Sequence, residues 1–191
     1  SVYVGENFRF GRGRMGDVAL LIQSGRQHGL RVVSAPRVTL QGAMISSTRI
    51  RGLLEAGEVV QANALFGYTY FAEGMIVPGK RLGRTLGFPT LNIDWAPDLK
   101  PRFGVYAVRV AGVKSAAGLP AVANYGLRPT VEQSTEPRLE VHVLGPCPFA
   151  EGDVIRVDWL RFVRPEMTFS GLEELRGQIE KDRACVNVDF S

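Results

Sequence analysis

Histidine and cysteine are scarce in this chain, with two of each among 191 residues. His28 and His142 stand far apart, which excludes a His-rich metal site and a two-histidine catalytic motif. Cys147 and Cys185 lack the short spacing of a metal site and do not form the disulfide framework that staples small secreted domains. Charge of one sign is also in short supply: 23 Lys and Arg against 19 Asp and Glu leave a net +4. That balance suits anionic small molecules but is too weak and scattered for a nucleic-acid surface. No stretch approaches the roughly 20 apolar residues of a membrane span. The chain opens on a Gly/Arg-rich motif rather than a basic-then-apolar leader, so a cytoplasmic location is expected. Internal repeats and low-complexity tracts are absent. What is present is ample apolar content, 45% of residues, enough to bury a core in one large domain or two small ones.

The texture changes near Gly67. Before it, Ser1 to Val4 reads as a strand entering the Gly/Arg loop Gly5 to Gly16. Asp17 to His28 reads as a helix that Asp17 caps, with Val18, Leu21 and Ile22 on one face. Gly29 stops it, and Leu30 to Val33 predicts a short buried strand. Ser46-Ser47-Thr48 opens a helix through Leu54, and Glu58 to Phe66 forms another. Strands alternating with helices point to an α/β layer. After Gly67, strands are predicted over Thr69 to Val77, Gly104 to Val110, Leu119 to Tyr125, Arg138 to Leu144 and Asp153 to Val163. In the fourth, Leu139, Val141 and Val143 share one face and Arg138, Glu140 and His142 the other. Strands without intervening helices predict a small antiparallel barrel or sandwich. In the tail, Ser170 and Glu173 have capping-box spacing, and Leu172, Leu175 and Ile179 form a helical stripe fit to seal that barrel.

The most informative string is PGKRLGRTLGFPTLNI, Pro78 to Ile93. Its glycines let backbone approach phosphate oxygens, and successive amides can form an anion-binding concavity. Lys80, Arg81 and Arg84 add positive charge, while Thr90 and Asn92 are hard oxygen donors suited to magnesium bridging phosphates. A Gly/Pro hairpin with a solvated basic rim explains the string equally well, since it is neither the Walker P-loop nor the dinucleotide fingerprint. Glu140, mid-strand in an apolar context, could take a proton from a hydroxyl attacking a phosphoryl group. The alternative is a solvated-face residue paired with Arg138 or Arg156. His142 shares that face and reads as a packed or surface histidine. Asn124 to Thr130 is a strand end turning into a polar loop, with or without a ligand. Arg161 to Phe169 mixes aromatics, arginine and carboxylate, to stack on a flat ring or to pack the last helix. ISSTRIR, Ile45 to Arg51, places hydroxyls at a helix start, which is an anion site or a routine cap.

Taken together and in order, GENFRFGRGRMGD, ISSTRIR, GKRLGRTLGFPTLNI, FGVYAVRV, NYGLRPTV, LEVHVL and RFVRPEMTFSGLEELRGQIEKD resemble the bacterial bifunctional riboflavin kinase/FAD synthetase family. The resemblance covers almost the whole chain and is strongest from about Gly79 to Asn92. It implies an α+β chain. Residues 1–67 would be the C-terminal part of an α/β, Rossmann-like FMN adenylyltransferase domain, and residues 68–191 an antiparallel Greek-key β-barrel riboflavin kinase with a C-terminal helix. In that family the first domain makes FAD from FMN and ATP, and the second makes FMN from riboflavin and ATP. Magnesium is the implied cofactor and riboflavin and ATP the implied substrates. No nucleic-acid, membrane or obligate protein partner is expected.

By the same resemblance, Gly79, Lys80, Gly83, Arg84 and Thr85 lie in a flap over the nucleotide phosphates. Thr90 and Asn92 match a Pro-Thr-x-Asn motif that contacts phosphates and magnesium. Leu91 stands where a small residue is usual and should point into the barrel. Glu140 aligns with the general base for the ribityl 5′-hydroxyl. Asn124 and Arg128 fall in one flavin-side loop, and Arg164, Pro165 and Glu166 in a second. Asn7, Ser46, Ser47, Thr48 and Arg51 belong to the adenylyltransferase part. Two departures stand out. The His-x-Gly-His motif of the adenylyltransferases is missing, with the opening strand and helix of that domain, as in a truncated parent; FAD formation is therefore not expected. Gly145-Pro146-Cys147-Pro148-Phe149-Ala150 replaces an acidic loop ending in Tyr-Gly. A non-catalytic flavin or nucleotide binder is the rival reading, and the joint presence of Thr90, Asn92 and Glu140 argues against it.

Overall fold

A strand, a helix and a second strand open the computed structural model, which describes residues 1–79, 82–113, 118–127 and 137–190, the side chains of Leu82 and Arg84 excepted. Contacts divide the chain into Ser1–Ser47 and Thr48–Ser191. In the first unit, β1 (Val2–Gly5) pairs in parallel with β2 (Val32–Ala35) across α1 (Val18–Gln27). Asp17 caps α1 as its position predicts, its carboxylate accepting from the Leu20 amide at 2.9 Å. Val18, Leu21 and Ile22 are half-buried on one face. Gly25 completes that face, because any side chain there would overlap the Leu30 carbonyl. The second strand starts at Val32 rather than Leu30 and is not buried: Val32 and Val33 are half-covered and Leu30 is exposed. A two-stranded sheet leaves each strand an open side. A hairpin of β3 (Thr39–Leu40) and β4 (Ala43–Met44) follows. Its turn residues Gln41 and Gly42 both take positive φ, the two-residue turn that matches strand twist.

In the second unit six strands close a barrel. They are β5 (Phe71–Val77), β6 (Leu91–Asp94), β7 (Gly104–Gly112), β8 (Leu119–Gly126), β9 (Arg138–Val143) and β10 (Val154–Arg164), in the order β10-β5-β6-β9-β8-β7. Every pairing is antiparallel. β7, β8 and β9 run as a meander and β10 returns beside β7, the Greek-key arrangement. Alternation dictates which side chains fill it. On β9, Leu139, Val141 and Val143 are buried, Glu140 and His142 half-buried and Arg138 exposed. Trp159 sits at the centre with Tyr70, Trp95, Tyr106 and Tyr125 around it, ring centroids 4.5–5.8 Å away. Such aromatic pairs add stabilisation beyond the area they bury.

Helices α2 (Ser47–Ala56) and α3 (Val59–Phe66) contribute Leu54, Val59 and Ala62 to this same core. Asn63 of α3 fastens the junction: its amide donates to the Trp159 carbonyl at 2.9 Å and accepts from the Tyr70 amide at 2.7 Å. The short α4 (Leu82–Thr85) lies between β5 and β6, and α5 (Leu172–Asn187) packs on β8 and β10. Two details of α5 differ from the sequence reading. Its N-cap is Gly171, so Glu174 rather than Glu173 reaches back, accepting from the Ser170 amide and hydroxyl at 2.8 Å each. Leu172 is exposed, and the residues that α5 buries fully are Asp182 and Val186.

Candidate active site

Pro89 ends the turn after α4 and delivers Thr90, Leu91 and Asn92 into β6. Leu91 and Ile93 face the core, so Asn92 projects from the opposite face of the strand. It is nevertheless only 7% exposed, because the backbone at Gly79 lies on its side-chain amide; a methyl group at 79 would overlap it. At Gly83 a methyl group would overlap the Phe88 carbonyl and only touch Thr90, and the Phe88 amide donates to the Gly83 carbonyl at 2.7 Å to close the turn. A cleft of about 630 Å³ opens beside these residues, lined by Gly79, Thr90 and Asn92 and, across from them, by His142, Phe149 and Arg183.

Strand register supplies the carboxylate. Glu140 of β9 stands directly opposite Asn92 of β6 on one side and Asn124 of β8 on the other. Opposed residues in antiparallel strands present their side chains on one face. Three polar residues far apart in sequence therefore form one row across three strands, and of the three Asn92 lines the cleft. Arg156, one sequence-level partner considered for Glu140, is engaged elsewhere: by Asp158 at 2.8 Å and Glu73 at 3.8 Å.

The second loop has a different construction. Arg164, at the end of β10, directs Nε and Nη2 at Asp182 of α5, at 2.9 and 2.7 Å, and Nη1 at the Pro165 carbonyl. Glu166 then lies against Gly126, where any side chain would overlap its carboxylate, and accepts from the Leu127 amide. Desolvation raises the Glu166 pKa above the usual carboxylate range, opposed by that amide and by Arg164. The Arg161–Phe169 segment also packs: Phe162 meets Tyr106 edge-on at 5.1 Å, with Arg102 stacked on it at 4.8 Å.

The structure thus brings Gly79, Gly83, Thr90 and Asn92 together, aligns Glu140 and Asn124 with them, and sets Glu166 beside the end of β8. Thr85 is exposed at the end of α4, and Asn7, Ser46, Ser47, Thr48 and Arg51 are exposed as well. Lys80, Arg81, Arg128 and the side chain of Arg84 lie outside the described residues. Sequence reasoning did not anticipate two cleft residues. His142 bonds through Nδ1 to the Pro89 carbonyl at 2.9 Å, which leaves a neutral Nε2 buried without a partner. Burial lowers its pKa, Arg183 lowers it further, and the Pro89 carbonyl opposes them. Arg183 lies over the Phe88 ring at 5.4 Å, with a buried, unpartnered Nε. No local signal marks it, since arginine on a polar helix reads as solvent-facing.

The second unit is a helix-capped Greek-key barrel with a polar cleft on its β6–β9 face. Residues 66–188 match the riboflavin kinase family, and residues 1–49 match FAD synthetase. The chain belongs to the riboflavin kinase family. It is 40% identical over 187 residues to the bifunctional riboflavin kinase/FMN adenylyltransferase of Escherichia coli (strain K12), covering 98% of this chain and 59% of that protein. Identity to the Haemophilus influenzae protein of the same name is 36% over 188 residues, covering 98% and 60%. A crystal structure described as a macrolide-efflux protein from Streptococcus pneumoniae superposes with a TM-score of 0.80 at 28% identity, covering 96% of this chain and 58% of that one. The chain spans about three fifths of the curated relatives it matches. Among the described residues, no helix is long and apolar enough to cross a membrane.

Proposed function

We propose that this chain is an ATP-dependent riboflavin kinase, transferring the γ-phosphoryl group of ATP to the ribityl 5′-hydroxyl of riboflavin to give FMN and ADP. The row Asn92–Glu140–Asn124 beside the Gly79–Thr90 cleft carries the reading: an oxygen-donor wall for a polyphosphate, with a carboxylate one strand away. Phosphoryl transfer asks a protein chiefly for positioning and electrostatic stabilisation. In this reading the backbone at Gly79 and Gly83 comes close to the phosphates, Lys80 and Arg84 supply charge and Thr85 belongs to the same flap. Glu140 orients the 5′-hydroxyl and takes its proton as the O–P bond forms and ADP leaves. Asn124, Arg128, Arg164 and Glu166 shape the flavin side.

Thr90 and Asn92 fit a magnesium ion as two neutral hard oxygens on one cleft wall. Among the described residues there is no cluster of three His, Cys, Asp or Glu to hold an ion alone. Magnesium with few protein ligands keeps several waters and binds largely through substrate phosphates, whose charge it neutralises. We read residues 1–67 as the C-terminal part of a Rossmann-like FMN adenylyltransferase domain and 68–191 as the kinase domain, in a cytoplasmic protein. The match of residues 1–49 to FAD synthetase supports a second reading, FMN adenylylation. The sequence lacks the His-x-Gly-His motif that would serve it.

Incubation with riboflavin, ATP and magnesium, followed by chromatography of the flavins, separates these readings. FMN without FAD is expected. FAD would establish the adenylyltransferase reading, and unchanged riboflavin would leave a binding module.

A further inference from the structure

Two polar or charged residues are buried among those described: Asn92, which lines the cleft, and Asp182, which does not. Asp182 is 4% exposed, on the fourth turn of α5. An ionised carboxylate in that position needs partners, and it has three bonds from one arginine: Arg164 Nε at 2.9 and 3.1 Å and Nη2 at 2.7 Å. Gln178, one turn earlier, donates to the same carboxylate at 2.9 Å. This paired geometry fixes the plane of the guanidinium. The remaining edge of that guanidinium donates to the Pro165 carbonyl, the first residue after β10. The next residue is Glu166, whose carboxylate rests on Gly126 and the Leu127 amide at the end of β8, two residues beyond Asn124.

We propose that Asp182 is a positioning residue for the flavin side of the site, acting through Arg164 to hold the Pro165–Glu166 turn against Gly126 and Leu127. The inference rests on the riboflavin kinase reading. A simple staple between α5 and the barrel would require only that the pair be buried. It would not require the guanidinium to bond the backbone that launches Glu166, nor a glycine where Glu166 lands. Asp182 does not line the cleft, so its effect should fall on one substrate.

The test replaces the whole ion pair with apolar residues of similar volume, Arg164→Met with Asp182→Leu, which tends to preserve stability where loss of one partner does not. Melting temperature and KM for each substrate are measured. The expected result is a folded protein whose KM for riboflavin rises about tenfold or more while KM for ATP stays within about twofold, a loss of binding for one substrate. An unchanged riboflavin KM, or equal rises for both substrates, would show the pair to be a staple only. Should the double variant not fold, Gly126→Ala tests the last link on which the proposal depends, since it leaves Asp182 and Arg164 in place and displaces the Glu166 carboxylate. It should raise riboflavin KM selectively, and unaltered kinetics there would overturn the proposal. If the parent protein binds riboflavin without forming FMN, the kinase reading alone fails, and riboflavin Kd from flavin fluorescence replaces KM in the same comparison.

Discussion

Glu140 and His142 share one face of β9, two residues apart, and their surroundings differ. Glu140 lies in the row with Asn124 and with Asn92, which lines the cleft. If it accepts the proton of the attacking hydroxyl, Glu140→Gln should lower turnover by about 100-fold or more. ADP affinity, read by calorimetry, should hold, because Gln keeps the shape and the cleft wall is untouched. Near-normal turnover would remove Glu140 from the role of base. His142 is held neutral by burial and by the Arg183 cation. Its folded pKa lies below the unfolded value of about 6.5, so the unfolded chain binds the proton more readily. The stability it contributes is present above that unfolded value and is lost as pH falls through the depressed folded one. His142→Asn retains an N–H for the Pro89 carbonyl and does not titrate. The wild-type melting temperature should therefore fall more than the variant's between about pH 7.5 and about pH 5.5. Parallel profiles would contradict this account.

Helix α5 shows at the scale of an element how local pattern and tertiary demand diverge. The Leu172, Leu175, Ile179 stripe is legible and so is the helix, but Leu172 is exposed and Asp182 takes the deepest place with Val186. A carboxylate among Lys181 and Arg183 reads as solvent-facing. Its burial follows mainly from Arg164, 18 residues earlier and on another element, with Gln178 as a second donor. Removing one partner leaves the other charge buried, so Asp182→Asn should cost about 3–5 kcal/mol in chemical denaturation, while the double apolar replacement should cost little. Equal losses from the single and double changes would argue against a buried ion pair. Strand β6 is the opposite case. Four residues soon after a proline are too few for alternation to register, although Asn92 within it and Thr90 just before it line the cleft. The β3–β4 hairpin, two residues per strand around Gln41-Gly42, escapes for the same reason.

Over the whole molecule, the two units differ in how much each buries. The barrel unit closes on itself and leaves no open edge in its six-strand ladder, so its strands satisfy one another. The first unit is a parallel pair with one helix between its strands and a short hairpin, and Tyr3 and Met15 are 74% and 86% exposed. On the proposed reading only the barrel unit supports turnover. The purified chain should accumulate FMN and no FAD over a time course with excess ATP, followed by flavin chromatography. FAD in that assay would assign the first unit an activity of its own.

Much of this protein was legible without its fold. Strand-like runs between turn residues, some of them alternating, marked five of the six barrel strands, and Asp17 and Gly29 bounded the first helix. The collinear strings from Gly5 to Asp182 pointed to the family that residues 66–188 then matched. The residue types at 79, 83, 90, 92 and 140 already suggested phosphates and proton transfer. Which of them meet was a matter for the tertiary structure. Register across β6, β9 and β8 aligned Asn92, Glu140 and Asn124, the backbone at Gly79 covered Asn92, and the packing of α5 brought Asp182 to Arg164 and Arg183 to the cleft. The physical reason is range. Propensity and periodicity act within a few residues, whereas barrel closure pairs residues that share nothing in sequence except the face on which they end up.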